Sequence, residues 1–135
     1  MMTKSLCKTA LILTFIVITL GALTRLLDAG LACPDWPGCY GKLLPSDNLQ
    51  FTHDSQLDQS KLWMEMIHRY LAATLGLLIL IIAVLIEKNK SLTNAIKWLS
   101  RSILLLVIIQ ALFGMLTVVM KLLPQVVSLH LLSGM

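Results

Sequence analysis

The sequence predicts an all-α integral membrane protein with three transmembrane helices and the start of a fourth. Three observations carry that prediction. Hydrophobic residues make up 57% of the 135-residue chain and charged residues only 13%, whereas soluble domains are roughly 45–50% apolar and 25% charged. The mean hydropathy is +0.83. The apolar residues also gather into blocks of bilayer length, with the cations between the blocks. A formal net charge of +4 and a pI near 9.2 would fit nucleic-acid binding only if the basic residues formed a stripe. Scattered between apolar blocks, they read as membrane topology, and no nucleic-acid partner is expected.

The first span is expected at Thr9 to Leu27, after Lys4 and Lys8. A cleaved secretory signal is the rival, with Gly30-Leu31-Ala32 as the cleavage region. Arg25 and Asp28 interrupt the path to that site, and further spans follow, so the anchor reading prevails; Cys33 as a lipoprotein cysteine fails on the same ground. Residues 28–62 are polar and carry Pro34, Pro37 and Pro45, which predicts an extramembrane loop. The second span is expected at Trp63 to Ile86 and the third at Leu99 to Met120, joined by the Lys-rich stretch Glu87 to Arg101. Ile96, Trp98 and Leu99 with Lys97 and Arg101 leave two readings for that stretch, a short interfacial helical turn or a plain loop. Val126 to Met135 is apolar but about half the length a bilayer needs, so the fourth helix is expected to be cut short.

Orientation follows from the cations. Lys4, Lys8, Lys88, Lys90, Lys97 and Arg101 place the N-terminus and the second connector in the cytoplasm. The first loop, with Asp28, Asp35, Asp47, Asp54 and Asp58 against Lys42 and Lys61, belongs on the outer face.

Chemistry concentrates where the second span begins, at Trp63-Met64-Glu65-Met66-Ile67-His68-Arg69-Tyr70. Lipid solvates ionisable groups poorly, so such residues in a span face the bundle interior and mark a functional path. Glu65 and His68 share a helix face, and Arg69 is one turn from Glu65 and placed to pair with it. A purely structural network, an ion pair capped by His68, stands beside the functional reading. His130 tips the balance. It lies about five residues into the fourth helix, as His68 does into the second, roughly 8 Å along each axis, and both helices start on the outer side. Two imidazoles at one depth suit the axial positions of a porphyrin iron. Zinc wants about four ligands, and only His68, His130 and Glu65 lie near. Ala72 and Gly134, one turn beyond each histidine, leave room for a flat macrocycle, although small residues also serve plain helix packing.

The outer loop carries Cys33-Pro34-Asp35-Trp36-Pro37-Gly38-Cys39. An oxidising compartment favours a disulfide between Cys33 and Cys39, and the topology reached that compartment without using cysteine. A free pair is the alternative; an exposed, tightly spaced disulfide also admits redox activity. His53 is too distant to make a zinc site with them. Cys7 reads as a small residue at the inner membrane edge. Arg25 is placed to snorkel to headgroups or to pair with a heme propionate. Gln110 and Gly114 read as helix-packing positions, and Trp36, Tyr40 and Trp63 as interfacial aromatics.

Taken together, Gly21-Ala22-Leu23-Thr24-Arg25 through Ala29-Gly30-Leu31, the Cys33 to Gly41 stretch, Glu65-Met66-Ile67-His68-Arg69 and His130 resemble the heme A synthase family over nearly the whole chain. The resemblance implies an eight-helix, two-repeat bundle of which residues 1–135 form the N-terminal four-helix half. It implies a bacterial inner-membrane oxidoreductase that converts heme O to heme A for cytochrome oxidase assembly. By matching position, His68 and His130 would be heme iron ligands and Glu65 the carboxylate needed for activity. Arg25 and Arg69 would be propionate or ion-pair partners, and Cys33 with Cys39 the loop cysteine pair of many bacterial members. Heme b is expected in the second half. Heme O, membrane lipid, heme O synthase and oxidase assembly proteins are the expected partners, with an oligomer also compatible. Lacking the second half, the chain is expected to be inactive alone.

A non-catalytic bis-histidine heme module, such as a b-type cytochrome anchor or a heme carrier, is the competing function, and a membrane fragment that binds nothing is a third. Glu65 discriminates between the first two, since an anchor or carrier has no need of an acid one turn before its ligand.

Overall fold

Proline and polar turns divide the chain, and long aliphatic runs fill the intervals. The computed structural model describes residues 2–44 and 59–134; the expectations at Pro45, Asp47, His53, Asp54 and Asp58 lie outside them. Among the described residues there are four helices, α1 (Met2–Leu26), α2 (Gln59–Lys88), α3 (Asn94–Val119) and α4 (Pro124–Gly134). The first three are long and apolar enough to cross a membrane, with mean hydropathies of 2.2, 2.5 and 2.6 over their most apolar windows. Most of their aliphatic side chains, Leu11, Ile12, Leu105 and Leu112 among them, are exposed. In water that surface would be prohibitive; in hydrocarbon it is solvated.

Successive helices pack as antiparallel neighbours. Ala10 of α1 meets Leu75 and Ile82 of α2, flanked by Leu6, Leu13, Val17 and Ile86. Gly76 of α2 faces Val107 of α3, and Gln110 of α3 hydrogen-bonds Ser133 of α4 at 2.5 Å. Thr9, Thr14 and Thr19 turn their hydroxyls back onto the carbonyls of Ser5, Ala10 and Phe15. The polar atoms are thereby satisfied within the helix, as an apolar solvent demands.

α1 and α3 end in the same way. Asp28 and Lys121 take left-handed conformations, with φ of 50° and 49°. Each is closed by paired hydrogen bonds, Asp28 N to Arg25 O (3.3 Å) with Ala29 N to Thr24 O (2.8 Å), and Lys121 N to Val118 O (3.0 Å) with Leu122 N to Thr117 O (2.7 Å). This closure satisfies carbonyls that a helix end would leave orphaned. Gly30, just past α1, lies against the Leu122 side chain just past α3, so the two ends are side by side. α4 restarts at Pro124, where a missing N–H costs nothing.

The helices outrun the apolar blocks. α2 begins at Gln59, inside the stretch expected as loop, because Leu62 and Met66, one turn apart, bury 1% and 0% exposed against the cysteine loop. The connector expected from Glu87 to Arg101 shrinks to Asn89–Thr93, and neither a separate interfacial turn nor a long loop exists there. Nothing from Asn94 to Arg101 breaks a helix; hydropathy marks the lipid-immersed part of a helix, not its ends. Asn89 shapes the connector by accepting from Ser91 N and Oγ. Arg101 then reaches across to Glu87 at 2.6 Å and lies 5.3 Å over the Trp98 ring, joining the adjacent ends of α2 and α3.

Candidate functional site

The N-terminal end of α2 carries a small water-type core. Cys33 and Cys39 form a disulfide and, with Ala32, pack on Leu62, Met66 and Tyr70. Both cysteines are 0% exposed, which corrects the expectation of an exposed disulfide: the loop folds the sulfurs inward onto α2. A short antiparallel bridge closes the loop, Cys39 N to Lys42 O at 2.8 Å and Lys42 N to Cys39 O at 3.1 Å. Asp35 accepts from Tyr40 N (2.6 Å) and Gly41 N (2.7 Å) and so pins the turn from inside. Partial burial pushes the Asp35 carboxyl up, but the amides of Gly41 and Tyr40, its own amide and the Arg69 cation outweigh it and hold the carboxyl below the ordinary value.

Glu65 and Arg69 bind this loop to the helix. One Glu65 oxygen accepts the Cys33 amide at 2.9 Å and the other pairs with Arg69 Nη2 at 2.5 Å. Arg69 Nη1 donates to the carbonyls of Asp35 (2.8 Å) and Gly38 (2.7 Å), with Cys33 O 3.5 Å from Nη2. With Pro37 O also accepting from Nη1 at 3.4 Å, the guanidinium fork reads four loop carbonyls and one carboxylate at once, which an ammonium cannot do. Glu65 is buried, and a carboxylate there without partners would be costly. Arg25, at the end of α1, is exposed, and its side chain has no hydrogen bond or ion pair among the described residues.

His68 projects from α2 one turn along from Glu65, and His130 projects from α4. Both rings are half-buried, and each keeps its Nδ1 buried without a hydrogen-bond partner. Glycines from neighbouring helices flank them, and at His130 the glycine is not the one the sequence spacing indicated. A Cβ on Gly21 of α1 would stand 2.9 Å from Cε1 of His68, and one on Gly114 of α3 would stand 3.5 Å from Cε1 of His130. Gly134 instead faces Gln110, 3.2 Å from its Oε1. No group of three or more His, Cys, Asp or Glu able to hold a metal ion occurs among the described residues. Two imidazoles with orphaned nitrogens fit an iron that asks the protein for two axial ligands.

Residues 4–135 match a family described as cytochrome oxidase assembly protein. The chain belongs to that family. The heme A synthase of Shewanella oneidensis is 47% identical over 136 residues, covering 96% of this chain and 40% of its own length. The chain therefore spans well under half of that relative. No solved structure matches it. Family membership and three long apolar helices together establish a multi-pass membrane protein of the cytochrome oxidase assembly family.

Sequence reasoning missed Gly21 and Thr24 as residues of the site, and likewise Thr117 and Tyr70. The Tyr70 hydroxyl is buried without a partner beside the disulfide core. The signal for the first three was in the sequence: Gly-x-Leu-Thr occurs at residues 21–24 and again at 114–117.

Proposed function

We propose that the chain is the N-terminal half of a heme A synthase-type oxidoreductase that converts heme O to heme A for cytochrome oxidase assembly, with His68 and His130 as the heme iron ligands. The observation that carries this reading is the histidine pair itself, one imidazole on α2 and one on α4, each with a buried, unpartnered Nδ1. Iron supplies the electron chemistry when heme is bound; the chain supplies position and charge.

Glu65 lies one turn from His68 with donors on both oxygens. That arrangement suits a fixed negative charge that stabilises cationic character at the oxidised methyl, more than a base that must release Arg69 to take a proton. Arg69 is engaged by the loop, so Arg25 is the cation at hand for a propionate; otherwise it snorkels to headgroups. The N-terminus and the α2–α3 connector face the cytoplasm of a bacterial inner membrane and the disulfide loop faces outward, a topology supported by the cations at one end and the disulfide at the other. Heme b would belong to the second half of the full-length protein, with heme O synthase and oxidase assembly proteins as partners. Residues 1–135 alone are not expected to turn over.

In the full-length protein, His68→Ala and His130→Ala should each abolish the low-spin, two-imidazole heme signal of this site in reduced-minus-oxidised spectra. Retention of that signal in both variants refutes the pairing. A non-catalytic heme module is the second reading, favoured by one observation: both Glu65 oxygens are tied into the loop clamp. Unchanged conversion of heme O to heme A in a full-length Glu65→Ala variant would remove Glu65 from catalysis and support that reading for this half.

A further inference from the structure

α1–α2 and α3–α4 are the same hairpin built twice. Gly21 and Thr24 in α1 correspond to Gly114 and Thr117 in α3. The correspondence is atomic: Thr24 Oγ1 donates to Gly21 O at 2.7 Å, and Thr117 Oγ1 donates to Gly114 O at 2.7 Å. Leu27 N bonds Leu23 O at 3.0 Å, and Met120 N bonds Leu116 O at 2.9 Å. The left-handed residues Asp28 and Lys121 and their paired closing bonds then fall at the same register. In each hairpin the glycine meets the histidine of the second helix edge-on at Cε1.

Neighbouring helices in a membrane approach closely wherever small residues permit, but that alone would not put the glycine under the imidazole twice. Nor would it put a threonine hydroxyl on the glycine carbonyl both times. Taken with the reading of His68 and His130 as a ligand pair, we propose that Gly21 and Gly114 are matched seats that set the ring orientation of His68 and His130, each locked by its own threonine. They are positioning residues, acting through the histidine edge. The seats differ in tightness. At Gly21 an added methyl would overlap the His68 ring, at 2.9 Å, so the ring must turn; at Gly114 an added methyl makes ordinary contact, at 3.5 Å, and only a larger side chain displaces His130. Ring angle matters because it fixes how the imidazole plane lies over an iron and thereby the electronic signature of the bound metal.

The test reads the rings directly, in the whole chain in lipid nanodiscs without heme, with histidine labelled at Cε1. Gly21→Ala should shift the His68 Cε1–H resonance and leave His130 in place. Gly114→Ala should shift neither, and Gly114→Val should shift His130. Gly76→Ala, where the new methyl would sit 3.8 Å from Val107, is the packing control and should shift neither. An unmoved His68 in Gly21→Ala, or an equal shift in Gly76→Ala, overturns the seats. If Gly21→Ala does not accumulate, Thr24→Val carries the test, and an unmoved His68 there overturns them. With the full-length protein loaded with heme, Gly21→Ala should also change the g-value spread of the low-spin electron paramagnetic resonance signal. Shifted resonances in a full-length protein that takes up no heme would sustain the seats and refute the ligand reading. Heme bound with unchanged g-values and resonances would refute the seats alone.

Discussion

Arg69→Ala should unlatch the disulfide loop. In the parent, the guanidinium donates to the carbonyls of Asp35 at 2.8 Å and Gly38 at 2.7 Å and pairs with Glu65 at 2.5 Å. Hydrogen bonds from a charged donor contribute roughly 1.5–3 kcal/mol each, and removing one partner of a buried ion pair costs about 3–5 kcal/mol. These contributions overlap because one group makes them all, so about 3 kcal/mol is a conservative figure for the loop. At about 1.4 kcal/mol per tenfold, opening becomes roughly a hundredfold more frequent. Cys33 and Cys39 are 0% exposed, so a soluble reductant reaches them only through that opening. The assay is the rate of disulfide reduction in the folded protein, followed by alkylation and mass shift. Arg69→Ala should reduce roughly a hundredfold faster and Arg69→Lys should fall between it and the parent, since an ammonium lacks the fork. Arg25→Ala, at an exposed residue with no partner among the described ones, should leave the rate alone. A rate for Arg69→Ala equal to the parent's would mean that packing on Leu62 and Met66 holds the loop by itself.

Gly38→Ala should disturb the same loop by a different route, because its methyl would stand 2.5 Å from the Lys42 carbonyl oxygen. Backbone cannot yield cheaply, so a loss of about 1–3 kcal/mol should appear as faster reduction, and a parental rate refutes the clash. Lys121→Gly should stabilise the end of α3 by up to about 1 kcal/mol, since Lys121 holds a φ of 49° that glycine adopts without strain; a lower thermal midpoint would contradict this. Acid should loosen the loop through Asp35. Its folded pKa lies below the unfolded one, so its contribution is present above the unfolded value and is lost as pH falls through the folded value. A phosphine reductant, active in acid, should therefore reduce the parent faster as pH falls through that window, and Asp35→Asn should flatten the response; parallel profiles would refute the assignment.

The membrane class and the existence of each span were legible because lipid leaves a coarse, redundant mark: bilayer-length apolar runs with cations between them. Helix ends were less legible. The start of α2 at Gln59 depends on Leu62 and Met66 finding a disulfide core to bury against, a contact between segments far apart in sequence. The α2–α3 connector was overestimated because charged residues such as Lys97 and Arg101 are good helix formers whose polarity says nothing about backbone conformation. In the site, the Glu65–Arg69 pair followed from helical spacing. What spacing within one helix cannot show is the third dimension. It pointed to Gly134 beside His130, while the structure puts Gly114 there, and Gly21 beside His68, from adjacent helices. The double engagement of Glu65 with the Cys33 amide was equally out of reach, because a backbone donor has no signature in sequence.

The threonines of α1 give that helix an unusual kind of anonymity. Thr9, Thr14, Thr19 and Thr24 each hide a hydroxyl on a carbonyl of their own helix, so none of them binds a neighbour. To their surroundings these threonines present methyl groups, and shape contributes to the helix's angular setting, through Ala10 and Gly21 fitting against α2. A lipid of different thickness or stiffness would then be expected to rotate α1 by small amounts without breaking a hydrogen bond at these threonines. The edge of His68 would register each such turn.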